Sequence, residues 1–86
     1  MTLEWDEQKR AQTIAERGLD FADLARYDWL SALDRADPRD YVTEQRRVSV
    51  GYLEGRLIVV AYTLRDGNVR IISMRKANKR EQLAYG

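Results

Sequence analysis

The sequence predicts an α+β fold in which two N-terminal helices pack on a small antiparallel sheet and a C-terminal helix closes the chain. Three observations support this prediction. Apolar residues recur at helical spacing near the N-terminus, the stretch over about residues 45–74 alternates with a period of two, and two glycine-containing connections divide that stretch as hairpin turns would. The 86 residues leave room for one domain, which we expect to span residues 1–86.

Each of the two N-terminal helices is predicted to begin after an acidic cap. Asp6 is placed to cap a first helix over about residues 7–17, and Gly18 follows at the position where a left-handed residue commonly ends a helix. Asp20 is placed to cap a second helix that ends near residues 27–29. A short extended segment precedes the first helix, and the apolar stripes of both helices are expected to face the core.

The sheet is predicted to be a three-stranded antiparallel meander. Its two connections, Glu54-Gly55 and Asp66-Gly67, have glycine as the second residue, which is the composition that tight hairpins favour. The continuous apolar run over residues 57–62 predicts a central strand that is covered on both faces, with Val60 in it. The meander therefore supplies the framework on which the rest of the chain is expected to pack.

Weaker patterns lie on either side of the meander. Residues 30–33 are predicted to form a short strand, and residues 34–43, which include Pro38 and five charges, to form a mobile loop. After the meander, the chain is predicted to end in a helix over about residues 75–85. The start of that helix is strongly basic, since it carries Arg75, Lys76, Lys79 and Arg80.

Charge divides unequally between the two halves of the chain, although the formal net charge is only +1. Residues 1–45 carry 11 acidic and 6 basic residues, a net of −5, whereas residues 46–86 carry 3 acidic and 9 basic residues, a net of +6. Such a division indicates a surface in the second half that faces a polyanion. The alternative is a pair of solvated faces that neutralise one another in the fold.

The composition excludes several classes of protein. The chain has no cysteine, which rules out disulfides and thiol chemistry, and no histidine, which removes the commonest metal ligand and the hydrolase triads. We therefore expect neither a metal ion nor another cofactor. No apolar run approaches the ~18 residues of a membrane span, and the charged N-terminus lacks the apolar core of a signal peptide, so a cytoplasmic location is expected.

Three sets of residues together form a recognisable pattern. The first is Glu4-Trp5-Asp6 with Lys9, then Gly18-Leu19-Asp20-Phe21, which is similar to an "EWD..K" opening followed by a "KHG..F" segment. The second is an "R…G" strand and the strand after it: Arg46 and Gly51, then Val59-Val60-Ala61-Tyr62-Thr63 and Arg65. The third is similar to the signature "RIISAR.A...E...Y": Arg70-Ile71-Ile72-Ser73, Arg75, Ala77, Arg80-Glu81 and Tyr85. With these three sets the chain resembles the BrnT family of bacterial type II toxins.

Four positions depart from the family pattern. Met74 replaces the alanine of the C-terminal signature, and Arg17 replaces the histidine that precedes the glycine. Thr13 replaces an asparagine of the first helix. The family's "ER" pair reads Gln45-Arg46 here, with Glu44 directly before it.

The resemblance implies a RelE-like fold and a ribonuclease toxin that cleaves RNA and so inhibits translation and growth. It implies a BrnA-like antitoxin with a ribbon-helix-helix part as the neutralising partner, in a complex that represses its own operon. DNA would then be contacted only through the antitoxin, RNA would be the substrate, and no membrane would be involved.

Cleaving RNA without a metal ion requires three things of the side chains. The ribose 2′-OH must lose a proton, the charge of the phosphorane must be stabilised, and the departing 5′-oxygen must gain a proton. Arginine suits the second task because it is permanently charged and its planar fork matches two phosphate oxygens. Since histidine is absent, proton transfer falls to a carboxylate, a lysine, a tyrosine or water. Glu44 is the first candidate, and Tyr85 and Lys79 follow.

The predicted site has two groups of residues. The catalytic candidates are Glu44, Arg46, Arg65, Arg70, Arg75 and Tyr85. The RNA-binding candidates are Arg47, Lys76, Lys79 and Arg80. At least three of the four catalytic arginines are expected to share one surface. Arg70 and Arg75 lie five residues apart, so a flat strand would point them to opposite faces, and a bend or helix start at Met74 is required to bring them together.

Three classes of function remain open on the residues alone. The chain could be a ribonuclease toxin, a non-catalytic RNA- or DNA-binding module that uses the same basic half, or a protein whose acidic first half binds a basic partner. The departures at Arg17 and Gln45 keep the second class open. Growth arrest on expression separates a toxin from a passive binder.

Overall fold

A five-stranded mixed sheet forms the centre of the computed structural model, which describes residues 2–37 and 46–85. The strands run in the order β1-β5-β4-β3-β2 across the sheet: β1 (Leu3–Glu4), β2 (Leu33–Ala36), β3 (Arg46–Leu53), β4 (Arg56–Arg65) and β5 (Asn68–Lys76). Three helical segments accompany them: α1 (Glu7–Arg17), a 3₁₀ helix (Phe21–Arg26) and α2 (Lys79–Tyr85). No helix in these two ranges is long and apolar enough to cross a bilayer.

The predicted fold class is wrong in its layout. One α-helix and one 3₁₀ helix replace the two N-terminal helices, and the sheet has five strands, of which β1 runs parallel to β5. The 3₁₀ geometry follows from the spacing of the buried residues Phe21, Leu24 and Tyr27. These residues are three apart, and three residues per turn place them in one line against the sheet.

The first helix lies where the sequence predicts it. The Asp6 carboxylate accepts a hydrogen bond from the Gln8 N–H at 2.8 Å, which satisfies one of the free donors of the first turn. At the other end Gly18 adopts φ +67°, and its N–H donates to the Ile14 carbonyl oxygen at 2.9 Å. Asp20 also caps as predicted, although the segment it caps is the 3₁₀ helix.

The meander of β3, β4 and β5 is present, and Val60 is fully buried in its central strand. Both hairpin turns have two residues with positive φ: Glu54 and Gly55 at 49° and 82°, and Asp66 and Gly67 at 52° and 78°. Two positive φ values in a two-residue loop match the right-handed twist of the flanking strands. These two hairpins are therefore encoded locally.

The segments around the meander differ from the prediction. Strand β2 occupies residues 33–36 rather than 30–33, so the first part of the predicted loop is a strand; Pro38 and residues 38–45 lie outside the described residues. Asp34 explains the shift, because its carboxylate binds Arg47 and Tyr62 and ties β2 to its neighbours. Helix α2 begins at residue 79 rather than 75, since β5 continues its pairing to Lys76.

The two faces of the sheet have different roles. One face, which we name the core face, is covered by α1 and the 3₁₀ helix and carries Ile58, Val60, Ile71 and Met74. Gly51 also lies there, with space for no side chain: a Cβ would approach the Tyr27 hydroxyl to 2.9 Å. Among the described residues, α2 crosses one end of the opposite face, which carries the candidate arginines.

Candidate functional site

A β-bulge in β5 determines which face its arginines occupy. Ala61 of β4 lies opposite Ser73, whereas the next residue, Tyr62, lies opposite Ile71, so Ile72 is an extra residue in β5. One extra residue reverses the alternation of side chains along a strand. Arg70 and Arg75 consequently point to the same face despite their spacing of five. The sequence analysis expected a bend or a helix start at Met74 to bring Arg75 to the face of Arg70. The structure achieves this with the bulge at Ile72, inside the strand and before Met74.

The four arginines that were predicted to be catalytic lie on the same face of the sheet, opposite the core face. Arg70, Thr63 and Arg46 lie side by side across β5, β4 and β3, which places the Cα atoms of the two arginines about 10 Å apart. Arg65 lies two residues beyond Thr63 on the same side of β4, and Arg75 lies farther along β5. The face that carries these residues is named the arginine face.

Arg35 is a fifth cation on this face, and sequence reasoning missed it. It lies on β2 opposite Val48, which is two residues along β3 from Arg46 and therefore on the same side of the sheet. The sequence analysis predicted a loop at Arg35, and the pattern of a loop does not indicate to which face of a sheet its side chains point. The alternation of Leu33, Asp34 and Arg35 was the signal available, and it depends on first placing β2 in the sheet.

Short side chains occupy the positions between the arginines. Val48, Ala61, Thr63 and Ser73 form this floor, at the centre of the sheet. These side chains are shorter than arginine, so the guanidinium groups on the same side of the sheet can extend beyond them, and Thr63 among them is buried. The arrangement suits an anionic ligand that approaches the sheet from above, with cations on several sides of it.

Within the described part of the chain, acidic side chains approach Arg75 and Arg70. Glu81 of α2 binds Arg75 through two parallel hydrogen bonds of 2.7 and 2.8 Å. The Arg75 fork is the main cause that lowers the pKa of Glu81 to about 2, and the same hydrogen bond raises the pKa of Arg75. Glu4 of β1 approaches Arg70 less closely, at 3.9 Å, which exceeds hydrogen-bond distance. Arg70 is thus held less tightly than Arg75.

Tyr85 lies apart from the Arg46–Arg70 row. Its hydroxyl donates to the Ser31 carbonyl oxygen at 2.9 Å, and its ring meets that of Tyr52 edge-on at 5.4 Å. Tyr52 is six residues along β3 from Arg46, a distance of about 20 Å. The structure therefore does not place Tyr85 beside those two arginines.

The four RNA-binding candidates of the sequence analysis do not share one surface: two lie on the core face and two on α2. Arg47 lies on the core face, where its Nε donates to both oxygens of Asp34 at 3.2 and 3.3 Å. Lys76, opposite Ile58, also belongs to that face and is exposed. Lys79 and Arg80 are exposed in the first turn of α2. Glu44 lies outside the described residues.

Asp34 joins Arg47 to a tyrosine. The Tyr62 hydroxyl donates a short hydrogen bond to Asp34, and the Tyr62 ring packs edge-on against Trp29 at 5.5 Å. Burial is the main cause that raises the pKa of Tyr62 to about 12, and Asp34 raises it further. A tyrosine that stays neutral and bonded in this way fixes the edge strand β2 to the sheet.

Arg17, at the position where the resemblance implies a histidine, makes a backbone contact. Its Nη1 donates to the Met74 carbonyl oxygen at 2.8 Å, on the part of β5 beyond the two residues that pair with β1. Thr13, at the other departure in α1, donates to the Lys9 carbonyl oxygen at 2.8 Å. Both side chains thus satisfy backbone groups.

Within residues 2–37 and 46–85, no group of three or more histidine, cysteine, aspartate or glutamate side chains could hold a metal ion.

Comparison with known proteins gives one match. A family model described as the ribonuclease toxin BrnT of type II toxin–antitoxin systems matches residues 5–81, which covers α1, the whole meander and the start of α2. No curated protein matches the chain. The matched range includes every arginine of the arginine face and both ends of the β5 bulge. The chain therefore belongs to the BrnT family of ribonuclease toxins of type II toxin–antitoxin systems.

Proposed function

We propose that this chain is an endoribonuclease that cleaves RNA on the arginine face without a metal ion. The observation that supports the proposal is the convergence of Arg46, Arg65, Arg70 and Arg75 on one face, which the bulge in β5 makes compatible with the spacing of five between Arg70 and Arg75. Arginines scattered for solubility have no reason to converge. A bulge that re-aims one of them adds to the argument, because bulges are enriched beside functional sites.

The row of Arg70, Thr63 and Arg46 is the proposed position of the scissile phosphate. Two guanidinium groups about 10 Å apart at their Cα atoms can approach one phosphate from opposite sides with their long side chains. Each fork can bind two phosphate oxygens, and its charge stabilises the phosphorane as negative charge develops. Arg75, already paired with Glu81, is proposed to act on the neighbouring phosphate or to hold α2 in place.

Proton removal from the 2′-OH is assigned to Glu44. It directly precedes Gln45 and Arg46, and Arg46 begins β3 at the edge of the phosphate row. Lys79, exposed at the start of α2, is the next candidate. Tyr85 is a weaker one, since its hydroxyl is bonded to the Ser31 carbonyl oxygen.

A Glu44→Gln variant tests that assignment. If Glu44 is the base, the substitution should flatten the acidic limb of the pH–rate profile and lower the cleavage rate by roughly 10²–10⁴. Rates are to be measured on a labelled RNA across the acidic range, with Glu16→Gln on α1 as the control. A Glu44→Gln protein with the rate and profile of the native chain assigns Glu44 to the surface.

The proposed partner is a BrnA-like antitoxin with a ribbon-helix-helix part, which covers the arginine face and blocks RNA by occupying it. The toxin–antitoxin complex is proposed to repress its own operon through the antitoxin's DNA-binding part. The free toxin is proposed to act in the cytoplasm, where cleaved RNA stops translation and growth. Family membership supports a protein antitoxin as partner.

A charge-reversed pair tests the site itself. Arg46→Glu with Arg70→Glu should abolish RNA binding and cleavage, because two cations that neutralise phosphate become anions. The matched control is Lys9→Glu with Arg56→Glu, which changes net charge equally at two exposed residues away from the arginine face. Affinity measured over a range of salt should fall steeply for the native chain and for the control.

Comparing the RNA affinities of the two charge-reversed pairs shows whether the site lies on the arginine face. Unchanged affinity in the Arg46–Arg70 pair, or an equal loss in the control pair, would contradict the assignment of the arginine face. Thermal melting of both variants verifies that each remains folded.

A weakened or non-catalytic nucleic-acid-binding homologue is the second candidate function. The position that carries a histidine in the family here carries Arg17, whose guanidinium binds the Met74 carbonyl oxygen and carries protons poorly. Expression of the chain without a partner separates the two, since an active toxin arrests growth and a passive binder does not.

A further inference from the structure

A cleft of about 220 Å³ opens on the arginine face, between α2 and the strands β2 and β3. Its walls are mainly apolar, and two charged side chains stand among them. The apolar lining is Leu33, Val50, Ala84 and Tyr85, and the charged residues are Arg35 and Glu81. Asp34 also borders the cleft, but its carboxylate is bound to Arg47 and Tyr62. A slot of this kind suits a flat, apolar ring with a polar edge.

The wall formed by Tyr85 is fixed in position. Its hydroxyl is held by the Ser31 carbonyl oxygen at 2.9 Å, and its ring is packed edge-on against Tyr52. A ring held at both ends retains its orientation when a ligand enters. Aromatic side chains held in this way are the surfaces on which proteins stack the bases of single-stranded RNA.

The cleft lies on the same face of the sheet as the proposed phosphate site, and Arg35 stands between the two. Arg35 lines the cleft and also lies opposite Val48, two residues along β3 from Arg46. Any ligand in the cleft thus has cations beside it on the same face. A ligand that has an aromatic ring and a phosphate group fits both the apolar cleft and the cations beside it. Each nucleotide of an RNA strand is such a ligand.

Glu81 determines which polar edge the cleft accepts. A carboxylate has about four acceptor sites, and three are used by described residues: Arg75 Nη1 and the Asn78 N–H bond Oε1, and Arg75 Nη2 bonds Oε2. One site on Oε2 remains among these contacts. It requires a donor, which an exocyclic amino group provides. Of the four RNA bases, uracil alone has no such group, and its one ring N–H lies between two carbonyl oxygens that a carboxylate repels.

We propose that this cleft is the subsite for one base of the bound RNA and that it prefers amino-bearing bases to uracil. The inference rests on the proposed function, since it requires RNA to lie on the arginine face. It adds a specificity determinant that is spatially separate from the Arg46–Arg70 row. The cleft is thereby the part of the surface that reads sequence, whereas the arginines bind any RNA.

The test measures binding of short 2′-O-methyl oligonucleotides made only of adenine, cytosine or uracil. The methyl group blocks the 2′-oxygen, so the probes cannot be cleaved during the measurement. By fluorescence polarisation, the native chain should bind the uracil probe about tenfold more weakly than the other two, as expected for one lost hydrogen bond to a charged acceptor.

Ala84→Phe fills the cleft and is the decisive variant. It should bring the three affinities to within about twofold of one another, while the dependence of affinity on salt stays unchanged because the arginines are intact. Leu83→Phe is the matched control, since the neighbouring side chain is 82% exposed and does not line the cleft. Glu81→Gln should selectively reduce the discrimination against uracil.

The outcomes separate this inference from the proposed function. If the native chain binds none of the probes, the proposed function fails. If it binds all three equally, or if Ala84→Phe keeps the native preference, only the base subsite fails. If Ala84→Phe leaves base preference unchanged and instead weakens the complex with the antitoxin, the cleft belongs to a protein segment and the inference is overturned.

Discussion

Arg17 makes a structural contact at the position where the family resemblance implies a histidine. Its guanidinium binds the carbonyl oxygen of Met74, one residue before Arg75, at 2.8 Å. The contact lies just after the bulge, where β5 has no pairing with β1. A charged donor at this point holds the end of β5 and so positions the arginines that β5 carries.

Replacing Arg17 distinguishes positioning from proton transfer. Arg17→Ala should lower the free energy of unfolding by about 1 kcal/mol, since a charge-assisted hydrogen bond at a partly exposed site is lost. It should reduce cleavage severalfold and leave the shape of the pH–rate profile unchanged. Arg17→Lys, which keeps a charged donor, should recover part of both quantities.

Arg17→His is the sharper variant, because it installs the family's residue. A histidine titrates near pH 6.5 in the absence of perturbation. If the position serves only to hold β5, the pH–rate profile gains no limb in that region. A new limb accompanied by a higher rate would show that the position takes part in proton transfer.

Local chemistry explains which elements could be predicted from the sequence. The caps of α1 and the two hairpin turns depend on Asp6, Gly18, Gly55 and Gly67, whose backbone preferences act within a few residues. A shared surface for at least three of the four arginines was also expected, although the family resemblance suggested most of it. These features require no knowledge of distant partners.

Features that depend on distant contacts could not be predicted. Strand β1 exists because Leu3 pairs with Val69, and β2 is fixed by contacts of Asp34 with Arg47 and Tyr62. The bulge at Ile72 becomes visible only when β5 is paired with β4. Arg35 was missed for the same reason, since its face is defined only by the pairing of β2 with β3.

Helix α2 depends on the ion pair of Arg75 with Glu81, and this pair predicts a response to acid. The pKa of Glu81 is about 2 in the folded chain and 4.5 as its ordinary value. Between these values the unfolded chain binds more protons, so stability is present above about pH 4.5 and is lost as the pH falls toward 2. The loss should be about 1 kcal/mol once solvent screening is included.

Urea unfolding at neutral pH and near pH 3 measures this response. Glu81→Gln should be less stable than the native chain at neutral pH and should show a smaller further loss in acid. Glu16→Gln, on the surface of α1, should keep the native response. An equal acid response in the Glu81→Gln and native chains would contradict the contribution of this ion pair.

At the scale of the whole molecule, the fold separates the charges that the sequence divides between its halves. The acidic first half supplies α1 and the 3₁₀ helix on the core face, whereas the basic second half supplies most of the arginine face. Several acids of the first half are paired locally, as in the ion pairs Arg10–Asp20 and Arg26–Asp23. An anionic partner therefore meets one preferred side of the molecule.

This separation predicts that RNA and the antitoxin exclude one another. Both are proposed to use the arginine face, so the purified antitoxin should displace labelled RNA and abolish cleavage in a competition titration. It should also raise the melting temperature, because a ligand that binds only the folded state stabilises it by ~2.7 kcal/mol at a hundred times its dissociation constant. Simultaneous binding of both, with cleavage intact, would refute the proposal that the antitoxin masks the face.

The extra residue in β5 affects the curvature of the sheet independently of where the sheet places its charged side chains. A bulge increases the local twist and bends the strand that contains it. If Ile72 were removed, Ile71 and Ser73 would be adjacent in the chain. Ile71 is already paired with Tyr62 and Ser73 with Ala61, so every remaining side chain of β5 would keep its face and its partner. Only the coiling of the sheet beneath the arginines would change. The curvature of this surface can thus be altered without changing its charge.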